Sequence, residues 1–525
     1  MYNNKKIFNY LTTYYLDKDF KCLNIGNHPS ILKETLLNKL KTYNLIDVIS
    51  EIGFVYRHLL KLSSKDELMF FAYDFQFKGF IYTFRIDLLL MITHFFIISG
   101  ANKYGRKKLQ PHLLTNLMYL SEIALMLQHN EFEISQETLL NHLCMYYKEQ
   151  IVFQENFKEN ICHSYLIFKE HYAAKLEEIT GLDYDTYFKA SIILIILTSR
   201  ILEPCFRKEK IERIIKEMPD NFCTADAVIK LLEFLSTNIR DYKSQQKLKA
   251  NKNLIFLQYK PVIKEKLFNY DMYIVPLPHL LINKLFIDLY YTIQNSYDNI
   301  LTFRNEFGLI FEKYIGSIIK ENLEGFQILS EKDVQYKKNK SKADFVDWIV
   351  FDNDTAYLID VKAAMLPLKS IYNTNMSDFI QTHIIKDYKQ MLMHLKDIYQ
   401  FEELKFLRDK KIIPIIIYKD VPLLNTYLFK DAIIHNLKQI SSNIELINVV
   451  ENNTIYLLNL AEFQLFWINR MNFQLSEIFE ILDSDPKESI RTIIEKHPQF
   501  NYKVTEWSKI IDRIFNVSKY KAYCK

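Results

Sequence analysis

Glycine is scarce in this chain: nine among 525 residues, with twelve prolines. Both residues interrupt regular elements, so their rarity argues against a loop-rich protein and suits long helices. Cysteine is sparse too. Cys22, Cys144, Cys162, Cys205, Cys223 and Cys524 form no C-x-x-C pair, which excludes the spacing of zinc ribbons and redox motifs. Scattered cysteines fit a reducing cytosol. Net charge is nearly absent, since 67 basic and 63 acidic residues leave +4. A globally cationic surface is excluded, and any nucleic acid must meet a local patch. A long uncharged apolar run is missing as well. The nearest approach, "FIYTFRIDLLLMITHFFIIS" (80–99), carries Arg85, Asp87 and His94, which are costly in lipid. It reads as a buried helix, and no membrane partner is expected. The opening "MYNNKKIFNYLTTYYLDKDF" has no apolar core or small-residue cleavage site. It does not read as a signal peptide, so the expected location is cytoplasmic.

What is present is ordinary globular material, 49% hydrophobic and 25% charged, in a chain long enough for two or three domains. Residues 1–290 read as helix after helix. "NHLCMYYKEQIVFQENFKENICHSYLIFKEHYAAKLEEI" spaces apolar residues by three and four, and "TADAVIKLLEF" opens on a Thr/Asp cap signal. Two prolines in "YIVPLPHLL" (273–281) break the pattern and suggest a boundary. From 296 the texture changes. A helix, "FRNEFGLIFEKYIGSIIKENL", is followed by a short strand in "FQILSEKDVQY", a lysine-rich loop "KKNKSKAD", and two strands in "DWIVFDNDTAYLIDVK". A second amphipathic helix, "MSDFIQTHIIKDYKQMLMHLKDIYQ", precedes "KIIPIIIY", an apolar run suited to a strand covered on both faces. Residues 430–525 read as mostly helical, with strands near "IELINVV" and "TIYLLNL".

Charges inside apolar strands need a reason. Asp360 and Lys362 are two apart in the second strand, so they share one face, while Tyr357, Ile359 and Val361 point the other way. Asp347 opens the paired strand, and Glu312 lies on the preceding helix. Three acids and a lysine can thus converge. Carboxylate oxygens suit a hard cation such as Mg²⁺ or Mn²⁺, which activates water and stabilises charge on an attacked phosphate. The D-x-K spacing alone is weak: Asp387-Tyr388-Lys389 and Asp409-Lys410-Lys411 share it and read as solvated faces. Lys337, Lys338, Lys340 and Lys342 crowd the loop entering the hairpin and are candidates for phosphate contacts. "GANKYGRKK" (100–108) has P-loop glycine spacing but Arg106 in the lysine position, and reads as a basic loop. His163 and His171 match no metal-ligand spacing.

Residues 304 to about 420 resemble the PD-(D/E)XK, or restriction-endonuclease-like, nuclease superfamily. "GLIFEKYI" resembles its first helix, with Glu312 as the glutamate. "DWIVFDNDTAYLIDVK" resembles its catalytic hairpin, with Asp347 as the metal-binding acid and "DVK" as the (D/E)-x-K. "KDYKQM" resembles the following helix, and Gln390 is the best match for its polar site residue. No proline precedes the acid. "KADF" puts Asp344, after Ala343, where a P-D pair would place it. Asp344 and Asp347 are three apart and face opposite sides of a strand, so only one serves. Asp347 is favoured, with Asp344 as the alternative.

The resemblance implies an α/β C-terminal domain (296–525) with an αβββαβ core, preceded by a large, mainly α-helical region (1–290). It implies a Mg²⁺- or Mn²⁺-dependent phosphodiesterase acting on nucleic acid, DNA more than RNA. Glu312, Asp347, Asp360 and the Val361 carbonyl would hold the metal, and Lys362 would orient the attacking water. The helical region would bind the target, a protein partner, a second copy or an activating signal. Such an architecture suggests prokaryotic antiviral defence by analogy. The alternative is a nuclease-like fold that no longer cuts and serves as a nucleic-acid-binding or scaffolding subunit.

Overall fold

A computed structural model describes residues 37–38, 40–62, 73–77, 80–84, 86–99, 157–217, 222–249, 256–267, 269–320, 325–334, 336–338, 341–343, 345–365, 376–421, 427–440, 444–452 and 454–469. Within them the chain is a mixed α/β protein. Its N-terminal side carries helices α1 (Leu45–Leu62), α2 (Ile86–Ser99), α3 (Phe157–Thr180), α4 (Tyr184–Ile196) and α5 (Ala225–Phe234). The Thr224 hydroxyl accepts the Ala227 N–H at 3.2 Å and caps α5, as its sequence signal indicates. Asp183 caps α4 in the same way, accepting the Thr186 N–H at 3.0 Å.

Helix is not the whole of this region. Strands β1 (Tyr73–Phe77) and β2 (Phe80–Phe84) form an antiparallel pair. The run 80–99, expected as one helix, is therefore strand β2 followed by α2. Continuous apolar sequence suits a strand and a buried helix equally, and the aromatic residues of 80–84 favour the strand. Strands β3 (Cys205–Arg207), β4 (Ser236–Thr237), β5 (Val262–Leu267) and β6 (Tyr270–Ile274) build a second small sheet, in the order β3-β6-β5-β4. Between β5 and β6 the left-handed backbone position is filled by Asn269, at φ 67°, so no glycine marks the turn in the sequence.

The C-terminal side begins with α6 (Ile300–Lys320) and continues through strands β7 (Gln327–Ser330), β8 (Tyr336–Lys338), β9 (Ser341–Ala343), β10 (Trp348–Phe351), β11 (Thr355–Met365) and β12 (Lys411–Asp420). Helix α7 (Ile385–Gln400) lies between β11 and β12 and continues a helical stretch that starts at Met376 and passes through a π-helical turn at Ile380–Ile384. Helices α8 (Tyr427–Ile440) and α9 (Ile444–Glu451), strand β13 (Tyr456–Asn459) and helix α10 (Leu460–Asn469) follow. The segment "IELINVV", expected as a strand, is thus helix α9, while "TIYLLNL" does contain β13. Strands β8 and β9 pair with each other. The remaining five form one sheet in the order β13-β12-β11-β10-β7. β10 is antiparallel to both β7 and β11, and β11, β12 and β13 are parallel.

Both faces of this sheet are covered, which explains its strongly apolar strands. One face, with Trp348, Val350, Tyr357, Ile359, Ile415 and Ile417, packs on α6 and α10. That core is continuous with side chains of α3, α4 and α5. The other face, with Ile349, Ala356, Leu358, Ile416 and Tyr418, packs on α7 and α8. Among the described residues, no helix is long and apolar enough to cross a membrane.

Candidate active site

The β10–β11 hairpin sets the site. Its turn is held by Asp352, whose Oδ1 accepts the N–H groups of Asp354 and Thr355 at 2.9 and 2.6 Å, a side-chain mimic of a backbone turn. From that turn the register pairs Phe351 with Ala356 and Trp348 with Ile359. One further step places Asp347 opposite Asp360. The Asp347 carboxylate closes the step itself, accepting the Val361 N–H at 2.6 Å through Oδ2. Asp360 and Lys362 alternate with Ile359 and Val361, so they turn to the α7 face of the sheet. Asp360 is only 2% exposed, and Lys362 Nζ lies 2.7 Å from its Oδ2. This contact is a close ion pair to a buried oxygen. Lys362 also donates a hydrogen bond to Gln390 Oε1 on α7 at 3.1 Å.

Charge crowding marks the same four-residue cluster. Burial, and then the neighbouring Asp360, push the Asp347 carboxyl well above the ordinary carboxylate range. The Val361 N–H and Lys362 oppose this without cancelling it. Burial works against the charge on Lys362, yet Asp360, Asp387 and Asp347 more than offset it and raise its pKa. A buried and a half-buried carboxylate facing one ammonium leave an excess of negative charge.

Asp387, set aside on sequence as a solvated D-x-K, is buried on α7. Its Oδ2 accepts the hydroxyl of the fully buried Tyr418 at 2.8 Å. Burial raises its pKa from 3.8 to about 6, against the pull of Lys362 and Tyr418. The spacing to Gln390, three residues along one helix, was the available signal, because it puts both on one helical face.

Glu312 stands apart. It is half-buried on α6, which covers the opposite face of the sheet. Burial raises its pKa, Lys332 and Lys313 lower it, and Asp360 raises it further. It thus joins the cluster through the field of Asp360 rather than through a hydrogen bond. Val361 pairs with Ile417 across β11 and β12. Lys337 and Lys338 lie on β8 and Lys342 on β9. Lys340 and Asp344 lie outside the described residues. His163 has a structural partner, with Nδ1 2.8 Å from the Tyr314 hydroxyl.

Among the described residues, no three His, Cys, Asp or Glu side chains form a ready-made metal cage. The donor set nonetheless fits a hard cation. Asp347 and Asp360 offer oxygen only, Lys362 is the one ion-pair partner of Asp360 among the described residues, and a cation would relieve the repulsion that raises Asp347. No known family model, characterised protein or solved structure matches this chain.

Proposed function

We propose that the chain is a metal-dependent nuclease that hydrolyses phosphodiester bonds, with DNA the favoured substrate. The observation that carries this reading is the convergence of Asp347, Asp360 and Lys362 on one sheet face, with Gln390 holding the lysine. The resemblance of residues 304–420 to the PD-(D/E)XK superfamily supports it. Asp347 and Asp360 would hold Mg²⁺ or Mn²⁺ with the Val361 carbonyl, and Glu312 would add negative charge from α6. When bound, the ion would supply an activated water and stabilise charge on the phosphate. Lys362 would orient the attacking water, and Gln390 fixes the lysine by accepting a hydrogen bond from it. Lys337, Lys338, Lys340 and Lys342 hold the phosphate backbone by charge. The protein acts in the cytoplasm, against phage or other foreign DNA. Residues 1–290 bind the target, a partner, a second copy or an activating signal.

One observation favours a second reading, a non-cutting nucleic-acid-binding or scaffolding subunit: Lys362 already sits 2.7 Å from Asp360 and neutralises it. The test incubates the wild type and Lys362→Ala with plasmid, linear duplex and single-stranded RNA, each with Mg²⁺ or Mn²⁺. Cleavage by the wild type alone supports the nuclease and identifies its substrate. Cleavage by both places the chemistry elsewhere, and cleavage by neither favours the scaffold.

A further inference from the structure

We propose that Asp387, held by Tyr418, is a second counterion of Lys362 and so a positioning residue that frees Asp360 to face a divalent cation. The inference rests on the nuclease reading for its purpose, and on geometry for its substance. Lys362 and Tyr418 are register partners on the parallel strands β11 and β12, so they stand side by side on one face. Each reaches α7. Lys362 donates to Gln390 at 3.1 Å and Tyr418 to Asp387 at 2.8 Å. Asp387 and Gln390 are three residues apart, on one face of the helix. Two strand residues and two helix residues therefore meet between the sheet and α7, with Gln390 in contact with the ammonium group and Asp387 acting on it without a direct ion pair.

Asp387 is 7% exposed and Tyr418 fully buried. A buried carboxylate with a neutral donor keeps an uncompensated charge unless a cation faces it. Half-buried Lys362 faces this one without a direct ion pair, with a weaker contribution from Lys386, and its field interaction with Asp387 exceeds that with Asp347. Asp360 and Asp387 thus compete for a single ammonium. When Asp360 turns to a divalent ion, Lys362 keeps a carboxylate partner and its hydrogen bond to Gln390. Without Asp387, turning Asp360 to the ion would leave Lys362 only the weaker Asp347 as a carboxylate partner.

The test is a melting-temperature cycle in the full chain, without metal, on Asp360→Asn, Asp387→Asn and the double variant, joined by calorimetric titration with Mn²⁺. Either single variant leaves Lys362 one of its two stronger counterions. The double variant leaves it only the weaker Asp347, and should melt about 3 °C below the additive expectation. Adding Lys362→Met should remove that deficit. Asp387→Asn should also bind Mn²⁺ about fivefold more weakly than the wild type. Additive melting overturns the shared-counterion arrangement, and so does a deficit that Lys362→Met leaves in place. Wild-type Mn²⁺ affinity in a folded Asp387→Asn overturns the positioning role. A wild type that binds no Mn²⁺ while the cycle is non-additive rejects the nuclease reading and upholds the counterion pair.

Discussion

Gly316 on α6 lies directly against the indole of Trp348 on β10, so closely that a Cβ at this position would collide with the ring. The contact ties the helix bearing Glu312, one turn earlier, to the strand that begins beside Asp347. Gly316→Ala must push helix and sheet apart. The expected loss is about 1–3 kcal/mol of stability, seen as a lower melting temperature. A variant as stable as the wild type would mean that α6 does not seat at this depth.

Asp347 and Asp360 repel one another, and burial sharpens the repulsion. Asp347→Asn keeps an oxygen to accept the Val361 N–H and removes one charge. In metal-free buffer it should melt about 2–4 °C above the wild type. On the nuclease reading it should also cut about a thousandfold more slowly. Thermal denaturation and a cleavage time course read the two effects separately.

A bound ion should stabilise the fold that binds it. Mg²⁺ at a hundred times its dissociation constant adds about 2.7 kcal/mol to a protein with one site. Mg²⁺ should therefore raise the melting temperature of the wild type and leave that of Asp360→Ala unchanged.

Asp387 sets a pH window. Its pKa rises from 3.8 to about 6 on folding, so the folded state keeps the proton that the unfolded state releases. Its contribution to stability is full below 3.8 and is lost as pH climbs through about 6. Asp387→Asn should flatten this part of the stability profile. Denaturant midpoints measured from pH 4 to 7 decide it: the wild-type slope should be more negative than the variant's.

Gln390 accepts from Lys362 and carries no charge to compete for it. Gln390→Ala should lower kcat about tenfold with KM little changed, because the acceptor that positions Lys362 is lost rather than a substrate contact. A rise in KM alone would assign Gln390 to substrate binding.

Much of the C-terminal sheet was legible in sequence because apolar periodicity and charge disagree there. Asp360 and Lys362 interrupt a run that otherwise reads as buried strand, and that conflict pointed to a shared face. Gln390 came only from the resemblance of "KDYKQM" to the superfamily's following helix. Asp387 was missed because D-x-K in a helix resembles a solvated face, and its partner Tyr418 is 31 residues away on another strand. The small sheet β3-β6-β5-β4 escaped because its strands are short and its β5–β6 turn uses Asn269 in place of glycine. "IELINVV" carries β-branched residues that favour a strand, yet Leu446 and Val450, four apart, are the side chains it buries, which is helical spacing.

The most direct measurement is anomalous diffraction from crystals of the full chain soaked in Mn²⁺. The account predicts a peak ligated by both Asp347 and Asp360, absent in Asp360→Ala. Well-diffracting crystals with no peak between these two carboxylates, or with one only at other residues, would contradict it.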